Sequence, residues 1–184
     1  MKQVKRSISG EFDAFADDLL AEREPRPLVI VGTAKVETLL LQVLGGHLLP
    51  KLSKGDDQDE LLEGDRPLAT LSARIKMCYR LGLIDHSLYA DLDALRNVRN
   101  ICAHSVAFKP HQSPARDHVQ HLVRRIAVRR SYKLTQERFF GQESLTTAME
   151  LQCALLTLCV LLESIREKNV QTKGNKKALL IAQK

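Results

Sequence analysis

One short stretch gathers the residue types that do chemistry: RNVRNICAH places Arg96, Arg99, Asn100 and His104 within nine positions. Arg99 and His104, with four residues between them, set a guanidinium and an imidazole close together in the chain. An imidazole can serve as acid or base, and a guanidinium can stabilise developing negative charge. Geometry limits that reading. On one continuous helix the two side chains point about 140° apart, so they converge only where the helix ends or bends near Ala103. The more ordinary role for His104 is at a helix end, where a cation suits the dipole. Arg99, Asn100 and His104 therefore form an alternative catalytic set, with no catalytic residue as the first expectation.

A second signal is a charge in the wrong place. Leu88, Leu92, Leu95, Val98 and Cys102 share one apolar arc, and Arg99 falls inside it. Arg74 sits likewise among Leu71, Ile75, Cys78 and Leu81. A guanidinium directed into a core needs a carboxylate or several carbonyls. Glu37 is the one acid in the apolar stretch of the preceding long helix, which makes it the expected partner of Arg99 or Arg74. Glu37, Arg74 and Arg99 are thus the expected buried polar residues. His111, His118 and His121 come without supporting acid or Cys spacing and read as surface residues, so no metal and no cofactor is expected. GxGxxG, P-loop, GxSxG and HExxH patterns are absent. Cys78, Cys102, Cys153 and Cys159 form no CxxC pair and lie in apolar patterns, as reduced core thiols do.

The charge of the chain is concentrated. The net value is +6, yet residues 109–140 alone carry eight basic and two acidic side chains. Arg116, Arg124, Arg125, Arg129, Arg130, Lys133 and Arg138 make up most of that excess, and Arg125 and Arg129 are neighbours on a helix. Such a stripe attracts an acidic protein surface or nucleic acid. Direct DNA reading is disfavoured. Residues 76–98 have the outline of a helix-turn-helix with Gly82 in the turn, but the second helix would bring Asp85, Asp91 and Asp93 towards phosphates. Aromatics are 4% and Trp is absent, against a base-stacking surface.

The elements that must position these groups read as helix after helix. An amphipathic helix over 11–22 is expected to end at EPRP. A long apolar helix follows over 28–49, with the Gly45-Gly46 pair serving close helix packing. Pro67 suits the first turn of a helix running to Leu81, with Gly82 as its cap and Asp85 or Ser87 capping the next, which runs to about His104. Ser113-Pro114 marks another start, residues 131–142 look irregular, and 143–167 form a last long helix. The expectation is a single-domain all-α bundle of about six helices over 11–167, between a basic arm at 1–10 and a basic tail at 168–184, both expected to be mobile. No apolar run approaches the roughly 18 residues of a membrane span, and MKQVKRSISGEF lacks the apolar core of a secretory signal. The last helix is apolar around much of its circumference, so it is either central or covered by a second subunit.

The segment GDRPLATLSARIKMCYRLGLIDHSLYADLDALRNVRNICAHS resembles the signature of the mannitol operon repressor family, with its SARI…LGLI helix and its DL…R..RN..AHS helix. AKVETLL in the long helix is similar to the family's AxxE pattern. The resemblance covers roughly residues 28–165 and implies an all-helical transcription regulator. It also implies one without a recognisable DNA-binding domain, acting through protein partners in the cytoplasm. Arg99 to His104 also resembles the R-x4-H motif of HEPN-type helical ribonucleases, which is the alternative function. The expected partners are therefore a protein, acidic where it meets the basic stripe, and a second copy of the chain as a homodimer, with direct DNA binding weak or absent.

Overall fold

The computed structural model describes residues 10–48, 59–62 and 64–182, with side chains described through Asn169. Seven helices are present and no strand occurs among the described residues: α1 (Gly10–Ala21), α2 (Pro25–Gly45), α3 (Leu71–Arg80), α4 (His86–His104), α5 (Ala115–Ala127), α6 (Arg130–Phe139) and α7 (Thr147–Ala182). The basic arm and the polar loop at 51–58 lie outside the described residues, apart from Gly10.

α2 and α7 pack along each other at the centre, and the remaining helices surround them. Every residue of α7 from Leu151 to Cys159 is buried. The all-round apolar character of α7 is therefore met inside one chain, by α1, α2, α5 and α6, and asks for no second subunit. α2 and the Thr147–Asn169 part of α7 are long and apolar enough to cross a membrane, contrary to the expectation from sequence. Both owe that composition to the core, since 50% and 61% of their most apolar windows are buried in the fold.

Several boundaries differ from the sequence reading, each for a physical reason. EPRP begins α2 instead of only ending α1: the prolines occupy the first turn, where their missing N–H groups cost nothing. The α1 end is closed from α7, where the buried Gln152 amide donates to the carbonyls of Leu19, Leu20 and Glu22 at 3.1–3.3 Å. Gly45 and Gly46 terminate α2; the glycine that permits close packing is Gly32, where a Cβ would meet Leu155 at 2.7 Å. Residues 130–139 are helical and bury Tyr132 and Thr135 on one side of α6, in a segment too polar on average to read as a core helix. Ser113 does not cap the first turn of α5; its hydroxyl donates to Asp117, whose carboxyl it holds below the usual range. α7 runs on to Ala182, past the boundary at 167, through residues that include the good helix formers Lys, Ala and Leu.

Gly82 (φ 68°) ends α3 as expected, with the Leu83 N–H reaching back to the Cys78 carbonyl at 2.9 Å. Asp85 starts α4 by accepting the Leu88 N–H at 2.7 Å. These two local signals fix the angle at which α4 crosses the core.

All four cysteines are free and fully buried. Burial pushes the thiols of Cys78 and Cys159 up to about 12 and that of Cys153 to about 11. Native protein at pH 8 should therefore leave a thiol reagent such as dithionitrobenzoate unreacted until denaturant is added. Raised acidic groups contribute stability that is complete below their unfolded value near 9 and fades as pH climbs towards the folded value. Melting temperature should hold steady from pH 7 to 8.5 and fall above about pH 9.

Candidate functional site

α4 carries most of the residues singled out by sequence, and its two faces do different work. On the core face Leu88, Leu92, Leu95, Val98 and Cys102 are buried, and so is Asp91. Asp91 has a side chain only 1% exposed, three residues after Leu88 and four before Leu95. Two arginines hold it, Arg125 from the last turn of α5 and Arg129 from the junction with α6. Arg125 Nε donates to Oδ1 at 3.0 Å and Arg129 Nε to Oδ2 at 2.7 Å. Arg129 also donates to the Ser87 hydroxyl at 2.8 Å. Each carboxylate oxygen is matched by a charged donor, which is what makes burial of the acid tolerable.

The expected pairing of Glu37 with Arg99 or Arg74 is corrected. Arg74 is buried, but it is satisfied by carbonyls: Nε donates to Leu68 at 3.0 Å and an Nη to Leu62 at 2.8 Å. It thereby pins the segment before α3 onto that helix. Arg99 and Glu37 are half-buried and form no ion pair with each other. Both line a cavity of about 320 Å³ between α2, α3 and α4, together with Thr70, Ser72, Arg96 and Asn100.

His104 lies apart from that cavity. α4 is unbroken to His104, so the condition for bringing Arg99 and His104 together, an end or bend near Ala103, is not met. His104 is exposed and does not cap the helix. Ser105 does, donating to the Ile101 carbonyl at 2.6 Å, while Arg26 brings its guanidinium to the Ala103 and Val106 carbonyls at 3.4 Å. The alternative catalytic set is thus divided, with Arg99 and Asn100 in the cavity and His104 outside it. Among the described residues no group of three or more His, Cys, Asp or Glu could hold a metal. His111 and His121 are exposed and His118 is half-buried.

The basic run is divided too. Arg125 and Arg129 turn inward to Asp91 and are not free to meet a partner. Arg116, Arg124, Arg130 and Lys133 are exposed. Arg116 rests against Asp117 at 3.3 Å and Arg124 against Gln120 at 3.2 Å. Arg138 leaves the stripe for Asp13 of α1, at 2.7 Å. Two apolar side chains stand among the exposed cations: Val128, 83% exposed at the α5 end, and Leu134, 55% exposed on α6. Arg130, Lys133 and Leu134 share one face of α6, being three and four residues apart. Asp91 is the residue that sequence reasoning missed. The test applied to Arg99, a charge inside an apolar arc, picks it out equally well.

The outline of a helix-turn-helix at α3 and α4 does not give a projecting helix. α4 is packed against α2, α3 and α5, and its acids are used internally: Asp85 as cap, Asp91 in the clamp, Asp93 with Arg96 at 2.8 Å.

Comparison with known proteins adds three findings. The family model for the mannitol repressor matches residues 58–152, more than half of the chain. Among solved structures, a possible transcriptional regulator, YggD, from Shigella flexneri 2a str. 2457T is 16% identical with a TM-score of 0.60. The MtlR–HPr complex from Escherichia coli is 19% identical with a TM-score of 0.59. Each comparison covers 86% of this chain and 99% of the other, and at such identities the likeness is one of fold. A search of curated proteins gives no significant match.

The clamp makes an asymmetric prediction. Arg125 and Arg129 keep side-chain exposures of 31% and 19%, so they can turn to water if Asp91 is removed, whereas Asp91 cannot follow them. Asp91→Ala should cost about 1–3 kcal/mol, the range for leaving part-buried donors unmatched. The double variant Arg125→Gln/Arg129→Gln strands a buried carboxylate and should cost about 3–5 kcal/mol. Urea unfolding of both proteins checks the order; equal costs would contradict it.

Proposed function

The chain belongs to the mannitol repressor family, and on that premise we propose that it is a cytoplasmic transcriptional regulator acting through protein–protein contact instead of reading DNA itself. The observation that carries this reading is the exposed surface formed by the end of α5 and the start of α6. There Val128 and Leu134 supply apolar anchors and Arg124, Arg130 and Lys133 supply cations around them. Apolar contacts surrounded by polar groups are the usual build of a protein interface. The charge favours an acidic partner and faster encounter with it. The similar fold in the MtlR–HPr complex, where the regulator is seen with a protein, supports the same mode. The packing of α4 into the core supports a regulator without a reading helix.

A non-enzymatic role fits the separation of Arg99 from His104 along an unbroken α4. A homodimer belongs to this reading as well. It rests on the exposed pair Ile30 and Val31 of α2, at 41% and 44% exposure, and no longer on α7. Light scattering should give about twice 20.7 kDa at micromolar concentration, and a value near 20.7 kDa would count against it.

Two measurements test the contact surface. In a pull-down from native cytoplasm treated with nuclease, the wild-type chain should retain a protein partner, and the triple variant Arg124→Glu/Arg130→Glu/Lys133→Glu should lose it. Those side chains are exposed, so the melting temperature should change little. Retention unaffected by the triple reversal would remove the α5–α6 surface from the account. In a gel-shift series, any DNA binding should be weak, indifferent to sequence and steeply reduced by salt. A nanomolar, sequence-selective shift at physiological salt would overturn the protein-contact reading.

A further inference from the structure

The cavity between α2, α3 and α4 holds opposite charges that the protein leaves apart. Arg99 has no hydrogen bond or ion pair among the described residues, and neither does Glu37, although both line the same 320 Å³ space. Arg125, Arg129 and Asp91 show what this fold does when a charge pair is structural: it closes the contact to 2.7–3.0 Å. Arg99 and Glu37 are in reach of one cavity and are not so closed.

The other walls favour an anion near Arg99. Ala69 to Ser72 bring the N-terminus of α3, where Thr70 caps the Ala73 N–H at 3.2 Å. The N–H groups of Leu71 and Ser72, among the first donors of the helix, have no partner within it. The positive end of that helix adds to the field. Arg96 spends Nε on Asp93 and keeps its terminal nitrogens, and Asn100 adds an amide to the lining. Glu37 is the opposite chemistry, an acceptor without a donor. The volume lies at the lower end of the ~300–1,000 Å³ range of small-molecule sites.

We propose that this cavity binds a small organic anion that also carries hydroxyl or ammonium donors, its anionic head on Arg99 and the α3 N-terminus and its donors on Glu37. A bare anion would leave Glu37 repelling it, and a neutral polyol would leave Arg99 unmatched. The ligand links α2, α3 and α4, and so reaches the helix that also carries Asp91. This inference is independent of the α5–α6 surface, which shares no residue with the cavity.

The test is calorimetric titration of the full chain with four probes: glycerol phosphate, serine, inorganic phosphate and glycerol. Saturable binding of glycerol phosphate or of serine is expected, and which of the two binds identifies a phosphate or a carboxylate head. Inorganic phosphate should bind at least tenfold more weakly than the preferred probe, and glycerol should not bind. Arg99→Gln should weaken the preferred probe at least tenfold with an unchanged circular dichroism spectrum. If Arg99→Gln does not fold, Arg99→Lys provides the same reading, because it keeps the charge and loses the planar fork. Glu37→Gln should weaken the preferred probe while leaving inorganic phosphate unchanged or stronger. Absence of saturable binding by every probe at millimolar concentration overturns the proposal, as does binding that Arg99 substitution leaves intact.

Discussion

A carboxylate in the core has to be answered by charge, and in this protein the answer comes from a neighbouring helix. Asp91 sits where the apolar arc of α4 would otherwise carry a hydrophobic side chain. Its oxygens take Nε donors from Arg125, in the last turn of α5, and from Arg129, at the junction with α6. Burying the acid alone would cost several kcal/mol, so α5 can pack on α4 only in the register that presents both arginines. That constraint places the α5–α6 corner, and the corner places the exposed cations. It also fixes one side of α4, whose C-terminal half contributes Arg96, Arg99 and Asn100 to the cavity with Glu37.

The basic run of the sequence is thus two populations. Arg125 and Arg129 are spent on the fold, and Arg138 on α1 through Asp13. What remains for a partner is Arg124, Arg130 and Lys133, set around Val128 and Leu134. Counting charge along the chain overstates the surface field because it cannot tell which guanidinium has a buried acid to neutralise. Of the acids around α4, Asp91 is interior and Asp85 accepts the first-turn N–H of Leu88 as a helix cap.

Local signals were the legible part of the sequence. Gly82 and Asp85 announce the turn between α3 and α4, the apolar run at 28–49 announces the central helix, and the thiols read as core residues. The family signature was readable in the stretch through α3 and α4, which lies within the matched residues. The misreadings concern contacts between elements distant in sequence. Glu37 and Arg99 line the same cavity but do not form the expected pair, while Arg74 finds backbone carbonyls in its own neighbourhood. α6 was hidden because Tyr132 and Thr135 bury a face whose hydropathy is low. Gln152, polar in an apolar helix, had no visible purpose until the end of α1 was placed beside it. A spacing rule describes one helix at a time, and these are properties of pairs.

The central claim is that neighbouring arginines of one stripe have separate tasks, decided by a single buried acid. Urea unfolding of four single variants, Arg125→Gln, Arg129→Gln, Arg124→Gln and Arg130→Gln, tests it most directly. The account predicts losses of about 1–3 kcal/mol for the first two, each of which leaves an Asp91 oxygen without its charged donor. It predicts changes within about 0.5 kcal/mol for the second two, which are exposed. Four equal, small changes would mean that Asp91 does not organise α5 and that the basic run is one solvated stripe.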